Sequence, residues 1–502
     1  MPLTTTWRLA AGSAAAGLAL AAGAVAAAGP WDSGQRKAER AWAAAHERTG
    51  GAHHGRGGPQ GPREPAVAPS APGVLSAVAG PGLTAARTTA LGKALAPLMA
   101  DPGLGTTRTA CVLDVATGQV VYAADADRPM TPASTIKIAT AAAALAGRGP
   151  DHRIETRVLA DPDGRRVVLV GAGDPTLTAR APRGAGSDGA TGPGPAGHGP
   201  TGGSLVELAD ETARALKARG AGAKDVRLAY DTTLYSGPAA HPIGADNDNI
   251  APLSALMVDE ARLDHSYSGT ADRAPDPARE AAEAFAGLLR ARGIAVSDDI
   301  APGRASAKAA SVADTASAPL AQLVERMLTE SDNDLAEALA RQTALGEKKP
   351  ASFQGGEQAV TARLRALGAP LRGARFADGS GLSRQDRVSA RLLAALLARA
   401  ADPTRPDLRP VLTGLPVAGF TGTLSGRNAG DSPAAGLLRA KTGTLNGVNS
   451  LAGIVVEPTG RLLAFAFLAE GTPGKDAAQG ALDRLAAGLA GAGDGPAAGA
   501  AG

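Results

Sequence analysis

Apolar and polar residues alternate along this chain with a period that changes from one segment to the next. Residues 107–124 alternate as two strands would around a Gly-containing turn, which predicts a β-hairpin. Helical spacing predicts a helix at 74–99, and an Ala/Ile-rich helix beginning at Ser134. Near the C-terminus, apolar runs predict adjacent antiparallel strands at 438–442, 448–456 and 462–468.

The middle of the chain alternates between strand and helix patterns. Strands are expected at 154–158, 165–170 and 226–230, and a capping box at Ser204 begins a helix that ends near Arg219. Further on, apolar residues recur every three or four positions. They predict two helices, at 320–328 and 334–345, with a short polar corner between them.

The two ends of the chain have a composition that does not favour a packed fold. Residues 1–30 contain a long uncharged run of Ala, Gly, Leu and Val, which suits either a cleaved export signal or a retained membrane anchor. The segment 31–79 is expected to be a flexible Gly/Pro-rich tether. Similar composition predicts a disordered loop at 180–203 and a flexible tail at 491–502.

Charge and composition exclude some classes of function. The chain has 51 cationic and 48 acidic residues, evenly mixed, and only 3% aromatic residues. Because this gives neither a basic stripe nor a surface on which bases could stack, we expect no nucleic-acid partner. The single cysteine, Cys111, cannot form an intramolecular disulfide, and its alternating surroundings predict a buried strand residue.

A first candidate for chemistry is the pair Ser134 and Lys137. Three residues apart on a helix, a hydroxyl and an amine lie on one face, within hydrogen-bonding reach. A desolvated lysine near other cations can lose its proton and activate a serine as a nucleophile. The same four-residue pattern also occurs as an ordinary surface Ser and Lys, so it gains weight only from its context.

The second candidate is the corner Ser331-Asp332-Asn333. Its hydroxyl can pass a proton to a leaving amine, and its carboxamide can bind a substrate amide. The alternative interpretation is a helix-capping turn, because Ser and Asp are favoured at helix starts.

The third candidate is the run Lys441-Thr442-Gly443-Thr444, expected on a strand edge. There the hydroxyls would face a cleft, the glycine would let a substrate backbone approach, and the lysine would attract a carboxylate. The alternative interpretation is an ordinary strand end.

These three motifs, in this order, are the signature of penicillin-binding proteins and class A β-lactamases. The chain resembles the D-alanyl-D-alanine carboxypeptidase/endopeptidase family, which comprises the class C low-molecular-mass penicillin-binding proteins, or peptidase family S13. The resemblance covers residues 74–471. It extends beyond the three motifs to segments 171–177, 378–383, 416–419, 422–424 and 440–445.

The resemblance implies an α/β fold: a penicillin-recognising serine transferase domain, with an antiparallel sheet flanked by helices, and an inserted α/β module. The interval between the first two motifs is far longer than in class A β-lactamases, which agrees with an insertion. We therefore expect a DD-peptidase domain at 80–150 and 317–490, interrupted by an inserted module at 151–316.

The resemblance also implies a serine-type D-Ala-D-Ala carboxypeptidase/endopeptidase that acts on peptidoglycan stem peptides outside the cytoplasm and is acylated by β-lactams. No cofactor is needed, and a membrane is a partner only if residues 1–30 are retained. Ser134 would be the nucleophile, Lys137 its base, and Ser331 a proton relay bonded toward Lys137. Lys441 is expected to be the fourth catalytic residue and would also help to bind the terminal carboxylate of the substrate. The expected substrate-binding residues are Asn333, Thr442, Gly443 and Thr444, with the N–H groups of Ser134 and Thr444 as oxyanion donors.

Two other functions remain possible on the same scaffold. One is a β-lactamase, although the chain lacks a convincing Glu-x-x-x-Asn-like deacylation element between the second and third motifs. The other is a non-catalytic cell-wall or β-lactam sensor, which would have no chemical reason to keep the catalytic residues together. The Gly-rich segment at Asp378, Ser380 and Ser383 is interpreted as a scaffold turn and not as catalytic.

Overall fold

The structure is a computed structural model that describes residues 84–180, 202–220, 226–244, 247–457 and 460–491. The expected signal or anchor and the expected tether lie outside these residues, as do the centre of the expected loop and nearly all of the tail. All described residues belong to one compact unit, Pro72–Gly502. Among them, no helix combines the length and the apolar character that a bilayer crossing requires.

The described residues form strands and helices in alternation, as the changing periods predict. The strands are β1 (Thr107–Asp114), β2 (Val120–Ala124), β3 (Glu155–Ala160), β4 (Arg166–Val170), β5 (Arg227–Asp231), β6 (Ala301–Pro302), β7 (Ala310–Ala316), β8 (Leu438–Leu445), β9 (Val448–Val456) and β10 (Leu462–Glu470). The α-helices are α1 (Ala85–Met99), α2 (Lys137–Arg148), α3 (Leu205–Ala218), α4 (Pro277–Ala291), α5 (Leu320–Glu330), α6 (Asn333–Gly346), α7 (Phe353–Ala366), α8 (Ala390–Ala400), α9 (Pro410–Thr413) and α10 (Lys475–Gly491).

The first sheet is antiparallel throughout, with strand order β2-β1-β10-β9-β8. Successive residues of β10 belong to two different cores. Phe465 and Phe467 pack with α1 and α10, whereas Ala464 and Ala466 face α2 and α8. This is the period of two that a strand imposes on its side chains. The α/β fold with an antiparallel sheet flanked by helices is thus confirmed.

Helix α2 lies at the centre of the second of these cores. Its residues from Ile138 to Leu145 are fully buried, and they pack among α6, α7 and α8. A helix that is apolar on every side must be covered on every side. The helix therefore holds its first residue, Lys137, in a fixed position from which solvent is excluded. Cys111 of β1 faces the same core, which confirms that it is a buried strand residue.

The second sheet is mixed, with strand order β6-β5-β4-β3-β7. β3 pairs antiparallel with β4 and β7, and β5 runs parallel to β4 and β6. Helices α3 and α4 cover one face and contribute Leu208, Leu216, Phe285 and Leu289 to a separate core. All five strands come from the segment between the first and second motifs.

Most boundaries agree with the sequence-based expectations to within a few residues. The helix expected at 74–99 is described as Ala85–Met99, and residues 74–83 of that expectation lie outside the described residues. One difference concerns the first motif. The α-helix begins at Lys137 and not at Ser134, because residues Ala133–Ile136 form a 3₁₀ turn before it. Ile136 and Lys137 have ψ angles of −26° and −22°, which are typical of a 3₁₀ helix and not of an α-helix.

Candidate active site

Ser134 lies on the 3₁₀ turn that leads into α2. A 3₁₀ helix has three residues per turn, so side chains three positions apart lie directly above one another. The Nζ atom of Lys137 accordingly donates to the Oγ atom of Ser134 over 3.0 Å. Ser134 is partly exposed whereas Lys137 is fully buried, so the hydroxyl faces the open side of this pair.

The buried ammonium of Lys137 is held by three oxygen atoms. Besides Ser134, it donates to the Asn333 Oδ1 atom over 2.7 Å and to the carbonyl of Ser380 over 2.6 Å. Three acceptors match the three N–H bonds of an ammonium group, which leaves little freedom for its orientation.

The environment of Lys137 shifts its protonation. Burial lowers the pKa of Lys137 to about 8, although the Asp378 carboxylate and three further buried carboxyl groups act in the opposite direction. A neutral amine is therefore accessible near neutral pH, and only a neutral amine can accept a proton from Ser134. The geometry and the pKa together make this pair chemically competent.

The second motif forms the corner between α5 and α6. Ser331 has a left-handed φ of 60° where α5 ends, and Asp332 caps α6 by accepting the Leu335 N–H over 2.9 Å. The capping interpretation is therefore correct for Asp332. It does not exclude a role in the site, because the same corner aims Asn333 at Lys137.

The third motif lies on β8, the edge strand of the first sheet. Lys441 is fully buried, and its Nζ atom donates to the Ser331 Oγ atom over 2.8 Å and to the Thr442 carbonyl over 2.9 Å. Burial, followed by the positive charge of Lys137, lowers the pKa of Lys441 well below its usual range. The Thr442 hydroxyl bonds to that of Thr423, and Thr444 is exposed.

Gly443 marks the closest approach between the third motif and the first. A Cβ atom at this position would lie 2.2 Å from the Ser450 Oγ atom and 2.7 Å from the Pro132 carbonyl oxygen. Ser450 also donates to that carbonyl over 2.6 Å. The expectation for this glycine was room for a substrate backbone, but its surroundings give a different reason. The protein itself fills the space, so that β8 and the Ser134 turn can touch.

The three motifs therefore converge. Asn333 joins the second motif to Lys137, Ser331 joins it to Lys441, and Gly443 packs the third against the residues before Ser134. One expected contact is different, because the Ser331 hydroxyl accepts from Lys441 and not from Lys137. The carboxamide of Asn333 is also partly occupied, since its Nδ2 atom donates to the Asn249 carbonyl over 3.0 Å.

Sequence reasoning missed two backbone groups at this site, the carbonyls of Ser380 and Asn249. No residue type marks a carbonyl acceptor in a sequence, so only the Gly-rich segment 378–383 could have drawn attention to the first. That segment is a scaffold turn, as interpreted. The Asp378 carboxylate accepts the N–H groups of Gly381 and Ser383, over 2.6 and 2.7 Å.

Two groups of buried acidic and histidine residues have the spacing of metal ligands within the described residues. They are His241, Glu337 and Asp378, and Glu260, Asp332 and Asp334. In both groups the carboxylates already have partners. Arginines pair with Glu337, Glu260 and Asp334, and backbone N–H groups bond to Asp378. Their chemistry is that of structural ion pairs and not of a metal centre.

An antiparallel sheet with these motifs meeting at its edge strand defines the class of penicillin-recognising serine enzymes. The model of the D-Ala-D-Ala carboxypeptidase 3 (S13) family matches residues 91–275 and 266–489, and the chain belongs to this family. It is therefore a serine-type D-Ala-D-Ala carboxypeptidase that acts on peptidoglycan, in the cell envelope.

Individual relatives agree with this assignment. A carboxypeptidase of Mycobacterium tuberculosis is 40% identical over 421 residues, which are 81% of this chain and 86% of the relative. The crystal structure of penicillin binding protein 4 from Haemophilus influenzae matches with a TM-score of 0.61 and 21% identity, over 80% of this chain and 98% of that one. A second structure of that protein, in complex with a β-lactam, matches with a TM-score of 0.58 and 24% identity, over the same shares of the two chains.

Proposed function

We propose that the carboxypeptidase reaction proceeds through an acyl-enzyme on Ser134, with Lys137 as its general base. The observation that supports this is the 3.0 Å hydrogen bond between the Lys137 Nζ and Ser134 Oγ atoms, combined with burial that lowers the pKa of Lys137 to about 8. The neutral amine accepts the hydroxyl proton while Oγ forms a bond to the carbonyl carbon of the penultimate D-Ala.

The leaving group receives its proton from the second motif. As the C–N bond to the terminal D-Ala breaks, Ser331 donates its hydroxyl proton to the departing amine. Its hydrogen bond from Lys441 supports this role, because Lys441 can pass a proton to Ser331 as Ser331 gives up its own. Exchange with water then removes the proton that Lys137 took from Ser134 and replaces the one that Lys441 gave. Water then hydrolyses the ester, and its proton restores Ser134.

Binding groups surround the reacting carbonyl. The backbone N–H groups of Ser134 and Thr444 would hold the developing oxyanion, as preorganised donors do in acyl transfer. The terminal carboxylate of the substrate would be held by the hydroxyls of Thr442 and Thr444 and attracted by the positive charge of Lys441. Asn333 keeps a second N–H on its Nδ2 atom, beyond the one that bonds to Asn249, with which to bind the peptide of the donor strand.

The same site would be acylated by β-lactams. These compounds present a strained amide and a carboxylate in the positions of the D-Ala-D-Ala terminus, so Ser134 would open the ring and form a stable ester. The β-lactam complex of a structural relative supports this proposal. Cross-linked stem peptides have the same carbonyl with a different leaving amine, so we propose endopeptidase activity as well. Residues 1–30 would either export the enzyme or anchor it to the membrane.

The experiment is intact-protein mass spectrometry after incubation with benzylpenicillin. Wild type should gain the mass of one penicillin, and Ser134→Ala should gain none. Ser311→Ala, which changes an exposed serine on β7, is the matched control and should react as wild type does. A mass gain that persists in Ser134→Ala would refute the nucleophile. A rapid return of wild type to its free mass would favour the β-lactamase alternative.

The balance between the two peptidase activities needs a separate assay. Release of D-Ala from a pentapeptide measures the carboxypeptidase, and cleavage of a cross-linked dimer measures the endopeptidase. Both activities should disappear in Ser134→Ala, because both need the same acyl-enzyme. If either one survived in this variant, that activity would not belong to the proposed site.

A further inference from the structure

The Ser380 carbonyl that holds Lys137 belongs to a turn whose shape depends on buried carboxylates. Glu337 accepts the N–H groups of Gly379 and Ser380, over 2.9 and 3.0 Å. Asp378 accepts the N–H groups of Gly381 and Ser383. The backbone N–H groups before and after the Ser380 carbonyl are therefore all hydrogen-bonded. The carbonyl itself accepts from the Lys137 Nζ atom over 2.6 Å.

The Asp378 carboxylate has two further side-chain partners, Asp386 and His241, and His241 comes from the segment between the first two motifs. The Nε2 atom of His241 lies 3.1 Å from the Asp378 Oδ2 atom. His241 is 3% exposed, and its ring packs edge-on against Phe353, with 5.3 Å between the ring centroids. Its Nδ1 atom accepts the Ile243 N–H over 3.1 Å. Since Nδ1 is an acceptor, Nε2 carries the proton and donates it to Asp378.

The same loop reaches a second oxygen that binds Lys137. Asn249, eight residues after His241, accepts from the Asn333 Nδ2 atom through its carbonyl. The Oδ1 atom of that carboxamide in turn accepts from Lys137. Two of the three acceptors of the Lys137 ammonium are therefore oriented by one loop, and this loop lies in the segment between the first two motifs.

We propose that His241 is a positioning residue for the carboxypeptidase reaction. By donating to Asp378, it fixes the 378–383 turn, and through the Ser380 carbonyl it fixes the Lys137 amine against Ser134. This inference rests on the proposed roles of Ser134 and Lys137. It assigns to the segment 151–316 a part in positioning the catalytic lysine.

The proposal predicts a specific kinetic defect. His241 is buried behind the turn, so its loss should leave the binding of substrate unchanged. It should slow acylation, because a catalytic group displaced by about 1 Å can cost up to about 100-fold in rate. A purely structural role would instead reduce the fraction of protein that reacts, with a normal rate for each reacting site.

The test measures benzylpenicillin acylation at several concentrations, which separates the limiting rate constant from the half-saturating concentration. Each preparation is normalised to the amount of Ser134 that is finally acylated, and its thermal midpoint is recorded. His241→Leu keeps much of the volume and removes the donor. His241→Gln restores an N–H near the position of Nε2, whereas His241→Asn is too short to reach Asp378.

The matched control is Gln342→Leu. Gln342 is a buried residue of α6, and its side chain donates to the Ala172 carbonyl over 2.8 Å. The substitution Gln342→Leu therefore removes a buried hydrogen bond to the segment 151–316, which also contains His241. The control should keep the wild-type limiting rate.

The inference predicts that the Leu and Asn variants lose at least about tenfold in the limiting rate, with an unchanged half-saturating concentration, and that Gln recovers most of it. Equal rates in the Gln and Asn variants would overturn it, and this pair decides the question if His241→Leu does not fold. A normal rate in His241→Leu would overturn it too. If wild type itself formed no adduct on Ser134, the proposed function would fail, which is a different result.

Discussion

The contact between β8 and the Ser134 turn permits a quantitative prediction for Gly443→Ala. The added Cβ atom would lie 2.2 Å from the Ser450 Oγ atom, whereas real Cβ atoms essentially never approach within 3.0 Å of a neighbour. The serine hydroxyl must therefore retreat by about 0.8 Å, and the Pro132 carbonyl by about 0.3 Å. Neither group is free to move, because Ser450 donates to that carbonyl over 2.6 Å.

The expected result follows from that displacement. Overpacking at a tight contact costs about 1–3 kcal/mol of folding stability. A shift of about 0.3 Å between the third motif and the residues before the nucleophile should also lower the acylation rate, by up to about tenfold. The assay is the limiting rate of benzylpenicillin acylation, with the thermal midpoint measured on the same samples.

Two further variants separate this explanation from general damage. Gly287→Ala adds a methyl group on α4, where a Cβ atom would meet nothing within 4 Å, and it should keep the wild-type rate. Ser450→Ala combined with Gly443→Ala removes the worst overlap and should recover part of the lost rate. If Gly443→Ala acylated as fast as wild type, the proposed contact between the motifs would not be functionally important.

Three other predictions follow from the structure. The acylation rate should rise with pH through a midpoint of about 8, because only the deprotonated Lys137 can accept a proton; a rate independent of pH from 6 to 10 would contradict this role. Ser331→Ala should slow acylation by about 10²- to 10⁴-fold, because the leaving amine loses its proton donor, and a variant as fast as wild type would exclude the relay. The same variant should lose about 1–3 kcal/mol of folding stability in a denaturant titration, because the buried Lys441 Nζ atom loses its hydroxyl partner. Cys111 is fully buried, and burial raises the pKa of its thiol to about 11, so a disulfide reagent at pH 8 should label it only after unfolding; prompt labelling of the native protein would contradict the fold.

The regular elements of this fold were predictable because their residues alternate with a clear period. The hairpin at 107–124 and the three C-terminal strands were confirmed. The sheet that they form lies between two hydrophobic cores, one on each of its faces. The pairing of β1 with β10 was not predictable, because strands more than 300 residues apart carry no local sign of their partners. The division into domains at 80–150, 317–490 and 151–316 stays a prediction.

The sequence predicted which residues form the site better than it predicted the contacts between them. Ser134, Lys137, Ser331 and Lys441 form recognisable motifs, and the i, i+3 spacing correctly placed the first two within a hydrogen bond. Which lysine bonds to Ser331 depends on how an edge strand packs against a helix corner, and no local pattern encodes that. The role proposed for His241 was equally hidden, because an isolated histidine in a loop gives no sign of its partner.

A crystal structure of the enzyme after reaction with benzylpenicillin would test the central claim most directly. We expect electron density continuous with the Ser134 Oγ atom, the penicillin carboxylate beside Thr442 and Thr444, and Lys441 still bonded to Ser331. An adduct on any other residue, or a β8 strand that stands apart from the Ser134 turn, would contradict the account.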